Sequence, residues 1–137
     1  MGRVIAIDLG TKRTGLAVTD MLKITANPLE TIETKNLLPY LEAYISKEDV
    51  DTIVVGHPKS LDGTDTQMTQ PAINLKGRLA NKYPDKKVVL VDERFTSKMA
   101  MQSMIAMGSK KKDRKEKAGN LDKVSAAIIL QTYLDQL

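Results

Sequence analysis

The sequence predicts an α/β fold in which five strands form one mixed sheet flanked by helices. Three observations predict it. Short, almost entirely apolar runs indicate strands that are covered on both faces. Segments with helical features separate the later runs, and glycine or proline marks several boundaries. The 137 residues suffice for one core and contain no internal repeat, so we expect a single domain over residues 1–137.

The first three elements are predicted to be antiparallel strands. Residues 3–7 form the first apolar run, and residues 14–19, after a short turn at 10–13, suit an antiparallel partner. Residues 23–33 are predicted as the third strand. We expect this strand to be interrupted or bent near Pro28, because proline has no N–H for a central ladder.

Helices alternate with the two remaining strands. The sequence predicts, in order, a helix over 34–47, a strand over 51–58 stopped by Gly56 and Pro58, a helix over 66–83, a strand over 86–93, a methionine-rich helix over 96–108 and a final helix over 120–136. Pro39 and Pro71 fall near the starts of two helices, where proline is tolerated. Because a helix separates the two later strands, these strands should be parallel.

Polar side chains stand at the ends of three predicted strands. Asp8 follows the first strand, His57 lies at the end of the fourth, and Glu93 ends the fifth. If the first strand is parallel to the other two, all three residues fall at carboxyl ends, where open α/β sheets place their sites. We therefore expect Asp8 and Glu93 to come together. His57 is either a local loop residue or a phosphate contact.

The final helix supplies a third carboxylate. On a period of 3.6 residues, Asp122 shares its face with Ser125, Ala126, Ile129 and Tyr133. That face is largely apolar and should pack on the sheet, with Asp122 at its core-facing start. Taken alone, an acid in this position is better explained by a favourable interaction with the helix dipole.

Three clustered carboxylates predict a metal site. Without a cation they would repel one another and raise one another's pKa. Carboxylate oxygens suit Mg²⁺ or Mn²⁺, and two such ions roughly 4 Å apart can hold a phosphodiester, one activating water and the other stabilising the leaving oxygen. We therefore predict Asp8, Glu93 and Asp122 as metal ligands and catalytic residues.

The excess positive charge lies in one short segment. Of the 21 basic and 17 acidic residues, six and two lie in residues 110–117, which leaves 15 of each sign elsewhere. The segment is either a nucleic-acid contact or a solvated charged loop. Its candidate contacts are Lys110, Lys111, Lys112 and Arg114.

Cellular location is constrained only weakly. The chain has no cysteine, which excludes disulfides and thiolate metal sites and is compatible with a reducing cytoplasm. The N-terminus shows no signal-peptide pattern, and the apolar run at 126–130 is too short to span a membrane. We therefore expect a cytoplasmic protein without a membrane partner.

Four segments together resemble one known family. They are AIDLGTKRTGLAVTD, VVGHPKSLDG, VDERFTS and LDKVSAAIILQTYL, and they resemble, in order, the four motif blocks of the YqgF family. Members of this family are bacterial ribonuclease-H-like proteins, described as pre-16S rRNA nucleases or as Holliday junction resolvase-like proteins. Any one block is a weak signal, but four in register make the resemblance specific.

The resemblance implies an RNase H-like fold with an acidic triad at Asp8, Glu93 and Asp122. It also implies metal-dependent cleavage of the phosphodiester backbone during maturation of the 5′ end of 16S rRNA. The expected partner is therefore pre-16S rRNA, with branched DNA second and a ribosomal particle as a further candidate. The sequence departs from the family pattern at His57, where an apolar residue is usual. It also has Ser125 where related junction resolvases carry another acid, which weakens the junction-resolving alternative.

Basic residues next to two of the acids are candidate phosphate contacts. Lys12 and Arg13 lie in the turn after Asp8, and Arg94 directly follows Glu93. The two turn residues could equally be solvated. Arg94 could pair with phosphate through both of its terminal nitrogens, or only neutralise a neighbouring carboxylate.

Two other classes of function remain open. This fold also occurs as an inert nucleic-acid-binding module, although the intact acidic triad favours an enzyme. The DLGT motif alone resembles the phosphate loop of sugar kinases and Hsp70-like ATPases. Those proteins need two lobes around the nucleotide, and 137 residues supply only one.

Overall fold

The computed structural model describes residues 2–58, 64–92 and 118–137, with side chains in the last segment from residue 123 onward. The strands in these ranges are β1 Arg3–Asp8, β2 Arg13–Thr19, β3 Ala26–Glu33, β4 Val50–His57 and β5 Lys87–Asp92. The helices are α1 Leu37–Lys47, α2 Thr69–Lys82 and α3 Ala118–Asp135. A 3₁₀ turn, Thr34–Asn36, leads from β3 into α1.

The five strands form one mixed sheet in the order β3-β2-β1-β4-β5. The first three strands in the sequence pair antiparallel, and β4 and β5 are parallel to each other and to β1. The central strand is therefore β1, which has an antiparallel neighbour on one side and a parallel neighbour on the other. This arrangement confirms the predicted fold class.

Alternating side chains of β1 pack against different helices. Ile5 and Ile7 belong to the apolar cluster that contains the buried residues of α1 and α2. Val4 and Ala6 belong to a second cluster, which contains the buried residues of α3. Because successive side chains of a strand point to opposite faces, α3 covers one face of the sheet, and α1 and α2 cover the other. Both faces of β1 are thus buried, as its apolar sequence predicts.

The third strand has the irregularity that its proline predicts. On β2, the consecutive residues Leu16 and Ala17 pair with Glu30 and Pro28 of β3. Leu29 is therefore an extra residue in β3, which is the arrangement of a β-bulge. β3 is the last strand on its side of the sheet, and an edge position is where proline is tolerated.

Several predicted boundaries need correction. Gly56 does not stop β4: it pairs with Val91, and the strand continues to His57, opposite Asp92. Pairing with β5 keeps Gly56 and His57 in the strand, despite the low strand propensity of glycine. The helix predicted over 34–47 begins with a 3₁₀ turn, and its α-helical part starts at Leu37. The helices predicted over 66–83 and 120–136 span Thr69–Lys82 and Ala118–Asp135.

Two predicted segments lie outside the described residues. They are the methionine-rich helix over 96–108 and the basic segment over 110–117. Among the helices that the structure describes, none is both long and apolar enough to cross a membrane.

Candidate functional site at the carboxyl edge of the sheet

Asp8 lies at the carboxyl end of the central strand. It is the last residue of β1, opposite Gly15 of β2, and is partly buried. Val4 and Ala6, at the two preceding alternate positions, pack in the cluster that contains α3. Strand alternation therefore places the Asp8 side chain on the same face of the sheet as α3.

The parallel strands beside β1 end at the same edge. Ile7 pairs with Val55 of β4, and His57 pairs with Asp92 of β5, so the ends of β1, β4 and β5 lie side by side. Glu93 is the next residue after β5 in the sequence. Glu93 itself lies outside the described residues.

The end of α3 lies near the amino end of β5. Near the end of α3, the Tyr133 ring centroid lies 5.9 Å from Nζ of Lys87, the first residue of β5. Asp122 precedes Tyr133 by eleven residues, or about 16 Å of helix. The six residues of β5 span about 17 Å. These two lengths are nearly equal, so a helix running antiparallel to β5 would bring Asp122 to the carboxyl edge, and the Asp122 side chain itself lies outside the described residues.

The face predicted for the final helix is buried. Ser125, Ala126, Ile129 and Tyr133 have relative exposures of 4%, 0%, 1% and 7%. The helical spacing on which the prediction rests is therefore confirmed. Ser125 lies one turn after Asp122 and faces the sheet. It occupies the position at which related junction resolvases carry another acid.

A tight turn follows Asp8 and carries the two predicted basic contacts. A Cβ atom added to Gly10 would overlap the carbonyl oxygen of Arg13, so the turn requires glycine at this position. Lys12 and Arg13 are exposed on this turn. An alanine at position 10 would have to push the chain at Arg13 away.

A groove beside this turn contains one further cation that the sequence did not identify. It is lined by Thr11, Lys12, Arg13, Glu33 and Lys35. Lys35 Nζ lies 3.2 Å from Glu33 Oε2, and both side chains are largely exposed. Three basic residues and one acidic residue thus line this groove. Lys35 lies beside the turn because Arg13 of β2 pairs with Glu33 of β3. Its position could have been predicted from the sequence only with the correct register of these two strands.

His57 belongs to the opposite face of the sheet from Asp8. Ile53 and Val55, at the two preceding alternate positions of β4, pack in the cluster with α1 and α2. Nε2 of His57 is buried and has no hydrogen-bond partner among the residues that the structure describes. The alternation on β4 therefore favours the interpretation of His57 as a local residue over that of a phosphate contact beside Asp8.

The described residues cover only part of the predicted site. The residues outside them are Glu93, Arg94, Lys110, Lys111, Lys112 and Arg114. Within the described part of the chain, no three acidic, histidine or cysteine side chains lie close enough together to hold a metal ion. The side chains of Glu93 and Asp122, two members of the predicted triad, are not among those that the structure describes.

The fold and the position of Asp8 define a protein of the RNase H-like class: a mixed sheet in this strand order with an acid at the end of its central strand. The chain belongs to the RuvX family, because a family model described as "RuvX: Holliday junction resolvase" matches residues 2–136. This confirms the family resemblance found in the sequence.

Curated relatives are similar over nearly their whole length. A protein of Phocaeicola vulgatus is 48% identical over 135 residues, which is 98% of this chain and 96% of the relative. A protein of Christiangramia forsetii is 48% identical over 134 residues, 98% of each chain. Both carry the name "Putative pre-16S rRNA nuclease".

Proposed function

We propose that this chain is a metal-dependent endonuclease that hydrolyses phosphodiester bonds of nucleic acid and processes the 5′ end of pre-16S rRNA in the cytoplasm. The observation that carries the proposal is the position of Asp8. It ends the central strand on the face covered by α3, the helix whose first turns contain Asp122. The name shared by the curated relatives supports the substrate.

The residues proposed to hold the metal are Asp8, Glu93 and Asp122. Three carboxylates fit Mg²⁺ or Mn²⁺, which prefer oxygen ligands, and the cation would offset their mutual repulsion. Two bound ions would supply an activated water and stabilise the leaving oxygen. In this proposal the chain presents these carboxylates from two strand ends and the start of the final helix.

Basic side chains are proposed to hold the polyanion against this edge. Lys12 and Arg13 lie on the turn after Asp8, and their groove has an excess of positive charge. We assign the same role to Arg94 and to the basic residues Lys110, Lys111, Lys112 and Arg114. Such contacts read the charge and shape of the backbone and need no aromatic platform, which suits a chain with one Phe and no Trp.

The test of this function is Asp8→Asn. We expect metal-dependent cleavage of a short pre-16S RNA to fall more than about 100-fold, because loss of a direct ligand should cost at least as much as loss of a residue that supports one. RNA affinity should change less than about twofold, because Asp8 is proposed to contact metal and not phosphate. Cleavage is measured in Mg²⁺ or Mn²⁺ against EDTA, and affinity by filter binding.

Asp20→Asn is the matched control. Asp20 follows β2 at the far end of the sheet and accepts hydrogen bonds from the backbone N–H groups of Ile24 (2.7 Å) and Thr25 (3.1 Å). The asparagine oxygen can accept the same bonds, so activity should not change. Metal-dependent cleavage that survives in Asp8→Asn would contradict the proposed site.

The second candidate substrate is branched DNA, which the description of the matching family favours. A four-way DNA junction therefore accompanies the RNA in every assay. Faster cleavage of the junction than of the RNA would transfer the proposal to DNA. Tight binding of either substrate without metal-dependent cleavage would instead support a non-catalytic binding module.

A further inference from the structure

Thr34 connects the end of β3 to the turn that follows Asp8. Its hydroxyl donates a hydrogen bond to the carbonyl oxygen of Gly10 at 2.7 Å, and its backbone N–H donates to the carbonyl oxygen of Lys12 at 2.9 Å. The hydroxyl oxygens of Thr14 and Thr34 are 2.9 Å apart. Thr34 thus donates hydrogen bonds to two carbonyl groups of this turn, although it is not part of the turn itself.

The direction of these bonds follows from the number of protons. A threonine hydroxyl has one proton, and Thr34 uses it on Gly10. The bond between the two hydroxyls must therefore be donated by Thr14. Thr14 is fully buried in β2, so its hydroxyl has no access to water as an alternative partner. The result is a directed chain of hydrogen bonds from Thr14 through Thr34 to Gly10.

The turn held in this way carries the functional groups proposed above. Asp8 precedes Gly10 by two residues, and the exposed Lys12 and Arg13 follow it. The close approach of Gly10 to Arg13 leaves the turn little room to relax. A shift at Gly10 would therefore move the carboxylate on one side and the two cations on the other.

We propose that Thr34 is a positioning residue that fixes the turn after Asp8, and through it the metal-binding carboxylate. The proposal rests on the proposed function, since it assumes that Asp8 holds a metal ion. Thr34 does not itself contact metal or substrate. Its role is to satisfy the Gly10 carbonyl and keep the turn in one conformation.

The experiment compares Thr34→Val, which removes the hydroxyl at nearly constant shape, with Thr34→Ser, which keeps it. We expect Thr34→Val to weaken Mn²⁺ affinity about tenfold, the lower end for residues that orient metal ligands. Thr34→Ser should stay within about twofold of the unmodified protein. Mn²⁺ affinity is measured by calorimetric titration, and the metal concentration for half-maximal cleavage should shift in parallel. Amide hydrogen exchange at residues 10–13 should be faster in Thr34→Val alone.

Thr132→Val is the matched control. Thr132 is also half-buried, and its hydroxyl donates to a backbone carbonyl, that of Ile128, at 2.9 Å. It lies near the end of α3, away from the turn. Only a small change in thermal stability is expected, because the Ile128 carbonyl also accepts the backbone bond of the helix, and Mn²⁺ affinity should not change. An equal loss of affinity in Thr132→Val would show that general destabilisation explains the effect and would overturn the positioning role.

Thr14→Val provides a second variant should Thr34→Val fail to fold. It removes the donor to Thr34 but leaves the bond to Gly10, so a smaller loss of Mn²⁺ affinity is expected. Unchanged affinity in every folded variant would overturn the positioning role while leaving the proposed nuclease intact. If the unmodified protein neither binds Mn²⁺ nor cleaves RNA, the proposed function fails, and the positioning role fails with it.

Discussion

Asp51, the second residue of β4, joins three parts of the chain. Its carboxylate accepts hydrogen bonds from the backbone N–H of Gly2 (3.0 Å), from Lys23 Nζ (2.6 Å) and from the hydroxyl of Thr52 (2.8 Å). Partial burial raises the pKa of Asp51, but the three donors outweigh it and bring the pKa below its usual value. Lys23 reaches this carboxylate from the turn between β2 and β3, where it has a left-handed backbone with φ of 59°.

Asp51→Asn should therefore destabilise the fold in a pH-dependent way. A pKa that is lower in the folded chain means that Asp51 stabilises the fold above its unfolded pKa of about 4, and that this contribution is lost as pH falls through the folded value. Because the side chain is 38% exposed, solvent screening limits the expected loss at pH 7 to about 1 kcal/mol.

Urea unfolding of the unmodified protein and of Asp51→Asn at pH 7 and pH 3 measures the difference in their free energies of unfolding. This difference should be smaller at pH 3. Asp85→Asn is the control, because that side chain is 76% exposed and its partner Lys86 is 3.8 Å away. The control should be nearly neutral at both values. A difference that is equal at pH 7 and pH 3 would assign the effect of Asp51 to something other than its charge.

Among the elements, α2 contains a glycine with no packing reason to be there. Gly77 is exposed in the interior of the helix, and a Cβ atom added to it meets nothing within 4 Å. Gly77→Ala should raise the free energy of unfolding by about 0.5–1 kcal/mol, because alanine restricts the unfolded chain and favours helix. Thermal unfolding monitored by circular dichroism measures the gain.

Gly2→Ala is the contrasting change. An added Cβ there would lie 2.9 Å from the backbone nitrogen of Asp51 and 3.0 Å from the carbonyl oxygen of Asp49, so this variant should be destabilised. If Gly77→Ala and Gly2→Ala changed the free energy of unfolding in the same direction, the argument from the space around each glycine would be contradicted.

Elements were easier to predict than their mutual registers. The apolar runs locate β1 and β5 within one residue at each end, because burial on both faces leaves a continuous signal. The position of Asp8 at the carboxyl edge follows from chain order alone. Lys35 and Thr34 could not be placed beside it, because their proximity depends on the β2–β3 register and its bulge, and no local pattern reveals either.

At the scale of the whole molecule, the excess positive charge is concentrated in one segment of the sequence. All the excess positive charge lies in residues 110–117, and the remainder is balanced. Replacing Lys110, Lys111 and Lys112 with Gln should weaken RNA binding and reduce the slope of log affinity against log salt by about 2, because each phosphate contact contributes roughly 0.7 with single-stranded nucleic acid. Filter binding across a series of salt concentrations measures this slope.

The control removes the same charge from residues outside 110–117. Lys47, Lys76 and Lys82 lie on α1 and α2, and their replacement with Gln lowers the net charge equally. Their slope should stay close to that of the unmodified protein. An unchanged slope after replacement of the three lysines at 110–112 would identify residues 110–117 as a solvated loop.

The bulge and proline of β3 also bear on how the protein behaves at high concentration. An edge strand with regular, unpaired N–H groups is a template on which a strand of another molecule can form. In β3, Pro28 supplies no N–H, Leu29 breaks the regular spacing, and Glu30 and Glu33 add charge. An incoming strand would find too few evenly spaced donors on this side, so β3 protects the sheet against edge-to-edge aggregation.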